Sequence, residues 1–131
     1  LHWLTGVPAL RDVPNATRTA MWVRHRNVDF YRRSPTAALV ALADVPPPIV
    51  MLHFPSPPPA SSVTWFLDLI VDPADLVASN PDGWFFLDYR LDSARNGYSQ
   101  QSGRIYAEDG RLVAYSSQSM VYYDGKTKPS Q

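Results

Sequence analysis

Cysteine is absent from the 131 residues of the chain. Its absence excludes a disulfide framework, a thiolate nucleophile and a zinc site built on Cys. It also fits a reducing compartment, and we expect an intracellular location, cytoplasmic or peroxisomal. Long apolar runs are missing too: no stretch of about 18 consecutive apolar residues occurs, so we predict no membrane-spanning helix.

An excess of charge of either sign is also lacking. Lys and Arg number 12 and Asp and Glu number 12, which gives a formal net charge of zero. Without a global electric field we predict no nucleic-acid partner and no attraction to an anionic membrane. The three histidines, His2, His25 and His53, show no ligand spacing, so we predict neither a metal nor a cofactor. Because no Met begins the chain, we expect a processed product or a part of a longer protein.

The composition that remains is that of a folded domain. Hydrophobic residues make up 45% of the chain and charged residues 18%, which suits one globular domain with one core. Proline is plentiful, with 13 residues. These prolines cluster at 46–48 and 55–59, and they predict a stiff loop there.

One segment predicts a buried helix. Ser34 can cap the free N–H groups of a helix, and Pro35 at the first helical position wastes no hydrogen-bond donor. Residues 36–43 are then apolar on almost every side, which is typical of a helix enclosed in a core. Asp44 follows, and Pro46 disfavours helical geometry at the residue before it, so the helix is predicted to end at Asp44.

The rest of the chain predicts strands. Residues 1–17 read as an irregular lead-in and residues 124–131 as a polar tail. The turn pairs Asn96-Gly97 and Asp109-Gly110 predict hairpins. The hotdog domain, 18–123, lies between the lead-in and the tail. It is expected to begin with a strand at 18–26 and a short turn at 30–33. Four strands in one antiparallel meander are expected after the helix, at 61–71, 84–93, 98–108 and 111–123.

A sheet curled round one helix is the α+β hotdog fold, and it is the fold that we predict. The outer face and the edges of such a sheet need cover. We therefore expect a second hotdog domain or a homo-oligomer as partner.

Three segments resemble a known family. The runs 62–67, 97–106 and 109–118 are similar to the second hotdog of acyl-CoA thioesterases of type II, and the likeness extends over residues 20–123. The most specific piece is the stretch Asp-Gly-Arg-Leu-Val-Ala-Tyr-Ser-Ser-Gln that ends at Gln118. The resemblance implies a thioester hydrolase acting on coenzyme A thioesters, in which Asp44, Ser62 and Gln118 orient and activate a water.

The chain departs from the family pattern at several places. Prolines 46–48 follow Asp44 directly, and the strand that starts at Ser62 lacks the His-rich pattern of the family. The proline-rich loop leaves the alignment open by a residue or two, so Thr64 is an alternative to Ser62. Only one hotdog is present, where enzymes of this type carry two.

Each predicted catalytic residue has a plainer interpretation. A carboxylate at a helix C-terminus faces the negative end of the helix dipole, which favours its acting as a base, but Asp44 can equally be an exposed turn residue. Gln118 lies on an apolar strand face and can be a structural amide. Regular alternation puts Ser62 on the face opposite to Trp65, so a site role for Ser62 needs a bend at the start of the strand.

Further residues are candidates for substrate binding. Trp65 and Phe66 are predicted to line an acyl tunnel, and Arg95 and Arg104 to meet the phosphates of coenzyme A. The plainer alternatives are core packing for the aromatic rings and solvation for the arginines. Four other aromatic residues are assigned to the core or an interface: Trp84, Phe85, Phe86 and Tyr89.

Two functions follow from these readings. The first is hydrolysis of acyl-CoA or a related thioester by a water that Asp44, Ser62 and Gln118 hold. The alternative is a non-hydrolytic hotdog. It would be either a natural-product pathway enzyme acting on a polyketide-like ligand or a binding half that completes the site of a partner.

Overall fold

The computed structural model describes residues 1–5, 16–123 and 125. Six antiparallel strands form one sheet in the order β1-β2-β4-β5-β6-β3. Their bounds are β1 His2–Thr5, β2 Arg18–Val23, β3 Ala60–Leu69, β4 Phe85–Arg95, β5 Tyr98–Ala107 and β6 Leu112–Tyr122. The helices are α1 Val28–Arg33, α2 Pro35–Ala43 and α3 Pro73–Ser79, with a short 3₁₀ helix at Ile49–His53.

The core lies between helix α2 and one face of the sheet, here called the inner face. Leu39 and Leu42 of α2 are buried in the same cluster as Leu87, Ile105 and Ala114 of strands β4, β5 and β6. These strand residues are paired across the ladder, so their side chains stand on one face. A sheet packed on one central helix is the predicted α+β arrangement.

Helix α2 is less enclosed than predicted. Ala38, Leu39, Leu42 and Ala43 are buried, but Thr36, Ala37 and Ala41 are exposed. The expectation of burial on all sides was wrong, because the sheet packs against one side of the helix. The exposed side carries only small residues, which lose little by contact with water.

The start of α2 also differs in detail. Ser34 and Pro35 stand at the predicted positions, but the Ser34 hydroxyl makes no capping hydrogen bond. The Ser34 N–H donates to the carbonyl of Phe30 at 2.8 Å, because this residue also ends helix α1. The turn predicted at 30–33 is part of that helix. Asn27 caps it by accepting from the N–H of Phe30 at 3.2 Å.

The topology corrects the predicted meander. Strand β3 pairs with β6 and lies at an edge of the sheet, and it does not pair with β4, the strand that follows it. Between β3 and β4 the chain forms α3, a helix that the sequence reading missed. A link with its own helix is long enough to carry the chain to a distant position in the sheet.

The two predicted hairpins are confirmed. Asn96 and Gly97 have φ values of 53° and 79°, the left-handed conformation that a two-residue hairpin requires, and Arg95 pairs with Tyr98 across them. Gly110, with φ of 86°, lies in the turn between β5 and β6.

The predicted domain limits need one change. The lead-in was expected to be irregular, but residues 2–5 form β1, which pairs with β2. Residues 6–15 and, apart from Gly125, the polar tail from 124 lie outside the described residues. Within the described part of the chain, no helix is long and apolar enough to span a membrane.

Candidate functional site

A cavity of about 290 Å³ lies where the C-terminal end of α2 meets strands β3 and β6. Asp44, Ser62 and Gln118, the three residues predicted to hold a water, all line it. They come from three separate elements: the end of a helix, the start of an edge strand and the middle of the last strand. The fold therefore brings together three polar side chains that are far apart in the sequence.

Ser62 and Gln118 are hydrogen-bonded to each other. The Nε2 of Gln118 donates to the Oγ of Ser62 at 2.6 Å. Because the hydroxyl accepts this bond, its own hydrogen is left to donate elsewhere. The pair can thus offer a hydroxyl hydrogen and a second amide hydrogen to a molecule in the cavity.

A β-bulge places Ser62 on the inner face. Ser62 pairs with Met120 and Thr64 with Ser119, so strand β3 holds one more residue than β6 between these pairs. The extra residue, Val63, reverses the alternation, and it puts Ser62 on the same face as Trp65. This is the bend that a site role for Ser62 required. Thr64 falls on the outer face and does not line the cavity.

Asp44 lies at the very end of α2. Its backbone, with φ of −93° and ψ of 1°, has left the helix, and its side chain is exposed at the cavity rim. The residue before it is held by a buried side chain: the hydroxyl of Tyr89 donates to the carbonyl of Ala43 at 2.7 Å. A carbonyl in the last turn of a helix has no partner within the helix, and Tyr89 supplies one.

Tyr89 was assigned to the core from the sequence, and it is 2% exposed. Burial raises the pKa of its phenol well above the ordinary value, a hydrogen bond with Ser116 lowers that pKa, and the negative charge of Asp44 raises it again. The phenol is therefore neutral at physiological pH and close enough to Asp44 to feel its charge. The sequence alone shows no signal for this role.

The cavity has an apolar wall that follows from the proline run. Prolines 46–48 line it together with Met51 and Met120. Gln101 anchors this wall, since its Oε1 accepts from the N–H of Ile49 at 3.0 Å at the start of the 3₁₀ helix. The run that departs from the family pattern thus forms a stiff apolar side of the site.

The comparisons with known proteins identify the family of the chain. A family model described as acyl-CoA thioesterase C-terminal domain matches residues 2–122. The chain belongs to this family. No curated protein matches it.

Solved structures share the fold of this thioesterase domain. A conserved protein of unknown function with a hot dog fold from Alicyclobacillus acidocaldarius is 24% identical with a TM-score of 0.74, over 92% of this chain and 44% of that one. The tesB protein of Mycobacterium avium subs paratuberculosis is 21% identical with a TM-score of 0.59, over 81% and 41%. A hypothetical thioesterase from Streptococcus pneumoniae with coenzyme A is 10% identical with a TM-score of 0.59, over 82% and 79%.

Two results follow from these structures. The hotdog prediction is confirmed, because the structure described with a hot dog fold matches 92% of the chain with a TM-score of 0.74. The thioesterase domain also spans less than half the length of two of these chains.

The residues predicted to bind substrate are spread over the thioesterase domain, and none of the four lines the cavity. Trp65 is on the inner face, and its Nε1 donates to the Oγ of Ser116 at 2.9 Å. Phe66, its neighbour, points to the outer face and is 62% exposed. The two rings therefore lie on opposite faces of the sheet, and contact of either ring with an acyl group stays a prediction.

Neither of the two arginines lines the cavity. Arg104 on β5 stands directly across the ladder from Asp88 on β4. The Asp88 carboxylate accepts a hydrogen bond from Arg18 on the outer face of the sheet, so Arg104 also lies on that face. The sheet thus separates Arg104 from Asp44. Arg95 is exposed at the tip of the β4–β5 hairpin. Contacts of these arginines with phosphates remain predictions, and for Arg104 they would need a ligand that reaches the outer face.

Two histidines of the thioesterase domain make structural contacts. The Nε2 of His25 is 2.9 Å from the carbonyl oxygen of Ala38, and the Nε2 of His53 is 2.6 Å from that of Ala16. Among residues 1–5, 16–123 and 125, no group of three or more His, Asp or Glu side chains is placed to hold a metal ion.

Proposed function

We propose that the domain hydrolyses acyl-CoA thioesters with a water held by Asp44, Ser62 and Gln118. One observation carries the proposal: these three side chains line a single cavity, and two of them are joined by a hydrogen bond of 2.6 Å. The family match supports thioester chemistry, and a neighbour described with coenzyme A supports that carrier.

Each residue has a role that fits its chemistry. The Asp44 carboxylate takes a proton from water as the water oxygen attacks the thioester carbonyl. The free hydroxyl hydrogen of Ser62 orients that water, and the second amide hydrogen of Gln118 polarises the carbonyl oxygen. A C–O bond forms, the C–S bond breaks, and the products are a carboxylic acid and the thiol of coenzyme A.

The acyl group is proposed to lie against the apolar wall of the cavity. Prolines 46–48, Met51 and Met120 present carbon surface to it. Proline cannot rearrange its backbone freely, so the width of the cavity on that side is set before substrate arrives. The two flexible methionines can adjust to acyl groups of different shape.

A partner at the β3 edge completes the proposal. Residues 60–62 of the edge strand line the cavity, so a partner that pairs with β3 would lie next to it. The strand also exposes large apolar side chains, Val63 at 59%, Phe66 at 62% and nearby Ile70 at 50%. A second hotdog domain or a second copy of this chain would cover them.

The test is hydrolysis of a panel of acyl-CoA esters of increasing acyl length, followed as release of free thiol. An Asp44→Asn variant keeps the size of the side chain and removes the base, and we expect kcat to fall about 10²-fold or more. Asp75→Asn, at an exposed carboxylate in the first turn of α3, is the matched control and should keep full activity.

Two results would contradict the proposal. Turnover by Asp44→Asn equal to that of the unmodified chain would remove the mechanism. A chain that binds acyl-CoA but hydrolyses none of the panel would favour the alternative, a binding half that completes the site of a partner.

A further inference from the structure

A buried hydroxyl holds the residue before Asp44: that of Tyr89 donates to the carbonyl of Ala43 at 2.7 Å. On the same face of the sheet, the Nε1 of Trp65 on edge strand β3 donates to the Oγ of Ser116 at 2.9 Å. Ser116 also lowers the pKa of Tyr89, so its hydroxyl acts on the phenol. Ser116 and Tyr89 are both buried, with exposures of 1% and 2%.

Chemistry fixes the direction of the two hydrogen bonds. An indole N–H can only donate, and a backbone carbonyl can only accept. The Ser116 hydroxyl therefore accepts from Trp65, and the Tyr89 hydroxyl uses its one hydrogen on Ala43.

Gly103 explains why the Tyr89 ring can reach Ala43. Gly103 lies directly across from Tyr89 on β5, and Ser116 lies across from Gly103 on β6. A Cβ atom on Gly103 would stand 2.6–2.7 Å from three atoms of the Tyr89 ring. The ring therefore lies over the bare backbone of Gly103, and a larger residue there would push it away.

We propose that Tyr89 is a positioning residue that holds the C-terminal turn of α2 so that Asp44 faces the cavity. The inference rests on the proposed function, because Asp44 is the base whose position matters. Tyr89 does not line the cavity and acts only through the backbone of Ala43. Small displacements of a catalytic group carry large kinetic costs, so one buried hydroxyl has a measurable effect.

The first arm of the test is kinetic and uses Tyr89→Phe, which keeps the ring and deletes the hydroxyl. We expect kcat for an acyl-CoA ester to fall at least about tenfold, with KM changed less than about twofold. The matched control is Tyr31→Phe. Tyr31 is also 2% exposed, and its hydroxyl donates to the carbonyl of Asn80 at 3.0 Å, at the end of α3.

The control separates positioning from stability. Both variants lose one buried hydroxyl bonded to a carbonyl at a helix end, so both should unfold at similarly lower temperatures. Only Tyr89→Phe should lose turnover. An equal loss of kcat in Tyr31→Phe would show a general effect of lower stability and would overturn the proposal.

The second arm does not depend on activity. The amide of Val45 donates to the carbonyl of Leu42 at 3.2 Å, and its hydrogen exchange reports opening of the last turn of α2. In Tyr89→Phe this exchange should be at least about threefold faster, and in Tyr31→Phe unchanged. Unchanged exchange and unchanged kcat in Tyr89→Phe would overturn the proposal.

Failure of the proposed function has a different signature. If the unmodified chain hydrolyses no acyl-CoA ester, the function is wrong, and the exchange of the Val45 amide still decides whether Tyr89 holds the helix end. If Tyr89→Phe does not fold, Gly103→Ala displaces the Tyr89 ring, because the added Cβ would stand 2.6–2.7 Å from three of its atoms, and the same two measurements decide. Both should change in the same direction as in Tyr89→Phe.

Discussion

At the residue scale, the contact that distinguishes the site is the bond from Gln118 to Ser62. The outer face of the sheet holds a comparable pair, because the Nε2 of Gln100 donates to the Oγ of Ser117 at 2.9 Å. Both glutamines are half-buried and both lie on central strands. Gln100 also accepts a hydrogen bond from the Oγ of Ser119, so the two pairs differ in this contact and in the face of the sheet that they occupy.

Substituting each glutamine in turn compares the two pairs directly. Gln118→Ala should reduce kcat/KM for acyl-CoA about 10²-fold, because it removes a donor aimed at the reacting carbonyl and the bond that orients Ser62. Gln100→Ala removes an equivalent amide from the outer face and should retain activity. Steady-state kinetics of both proteins check this. Equal activities would show that the Gln118–Ser62 pair is structural.

The residues of the site could be predicted only in part from the sequence. Asp44, Ser62 and Gln118 were predicted because their types match a family pattern, and all three line the cavity. The bulge at Val63 was not predicted, since a run of apolar residues does not show where an extra residue enters a strand. Tyr89 was also missed, because its contact with Ala43 joins residues 46 positions apart.

At the element scale, some signals were present in the sequence and were overlooked. Asp72 caps α3 by accepting from the N–H of Ala74 at 3.0 Å, and Pro73 occupies the first helical position. An acidic cap followed by proline is an ordinary helix start. The position of β3 beside β6 had no such signal, because strand order depends on contacts across the whole chain and not on local pattern.

Two tyrosines tie helix ends to the rest of the domain, and they predict the response to alkaline pH. Burial raises the pKa of Tyr31 and, more strongly, that of Tyr89. The native state therefore keeps these protons above pH 10, where an unfolded chain begins to lose them. The contribution of these tyrosines to the free energy of unfolding is fully present below about pH 10. It falls as pH rises further, by up to about 1.4 kcal/mol per pH unit for each tyrosine.

Urea unfolding between pH 8 and pH 11 measures this loss. In Tyr89→Phe the free energy of unfolding should fall less steeply above pH 10 than in the unmodified chain, because one titrating group is gone. Tyr98→Phe changes a ring that is 65% exposed and should leave the slope as it was. A slope unaffected by Tyr89→Phe would contradict the burial of a neutral phenol.

At the scale of the whole molecule, the sheet has two unlike edges. Strand β1 ends it on one side and β3 on the other. Of these two edge strands, only β3 lines the cavity, through residues 60–62. The proposed partner would pair with this edge strand and cover its exposed apolar side chains, Val63 and Phe66.

The two edges offer a matched pair of substitutions. Phe66 on β3 is 62% exposed and Leu4 on β1 is 64% exposed. If the isolated chain pairs with a second copy through β3, Phe66→Glu places a charge in the contact. Analytical ultracentrifugation should then show a monomer in place of a dimer. The value of kcat/KM should also fall, because the partner no longer lies next to the cavity. Leu4→Glu should leave both mass and activity unchanged. A dimer that survives Phe66→Glu but dissociates with Leu4→Glu would place the contact at β1, far from the cavity, and the role of a partner in completing the site would then be wrong.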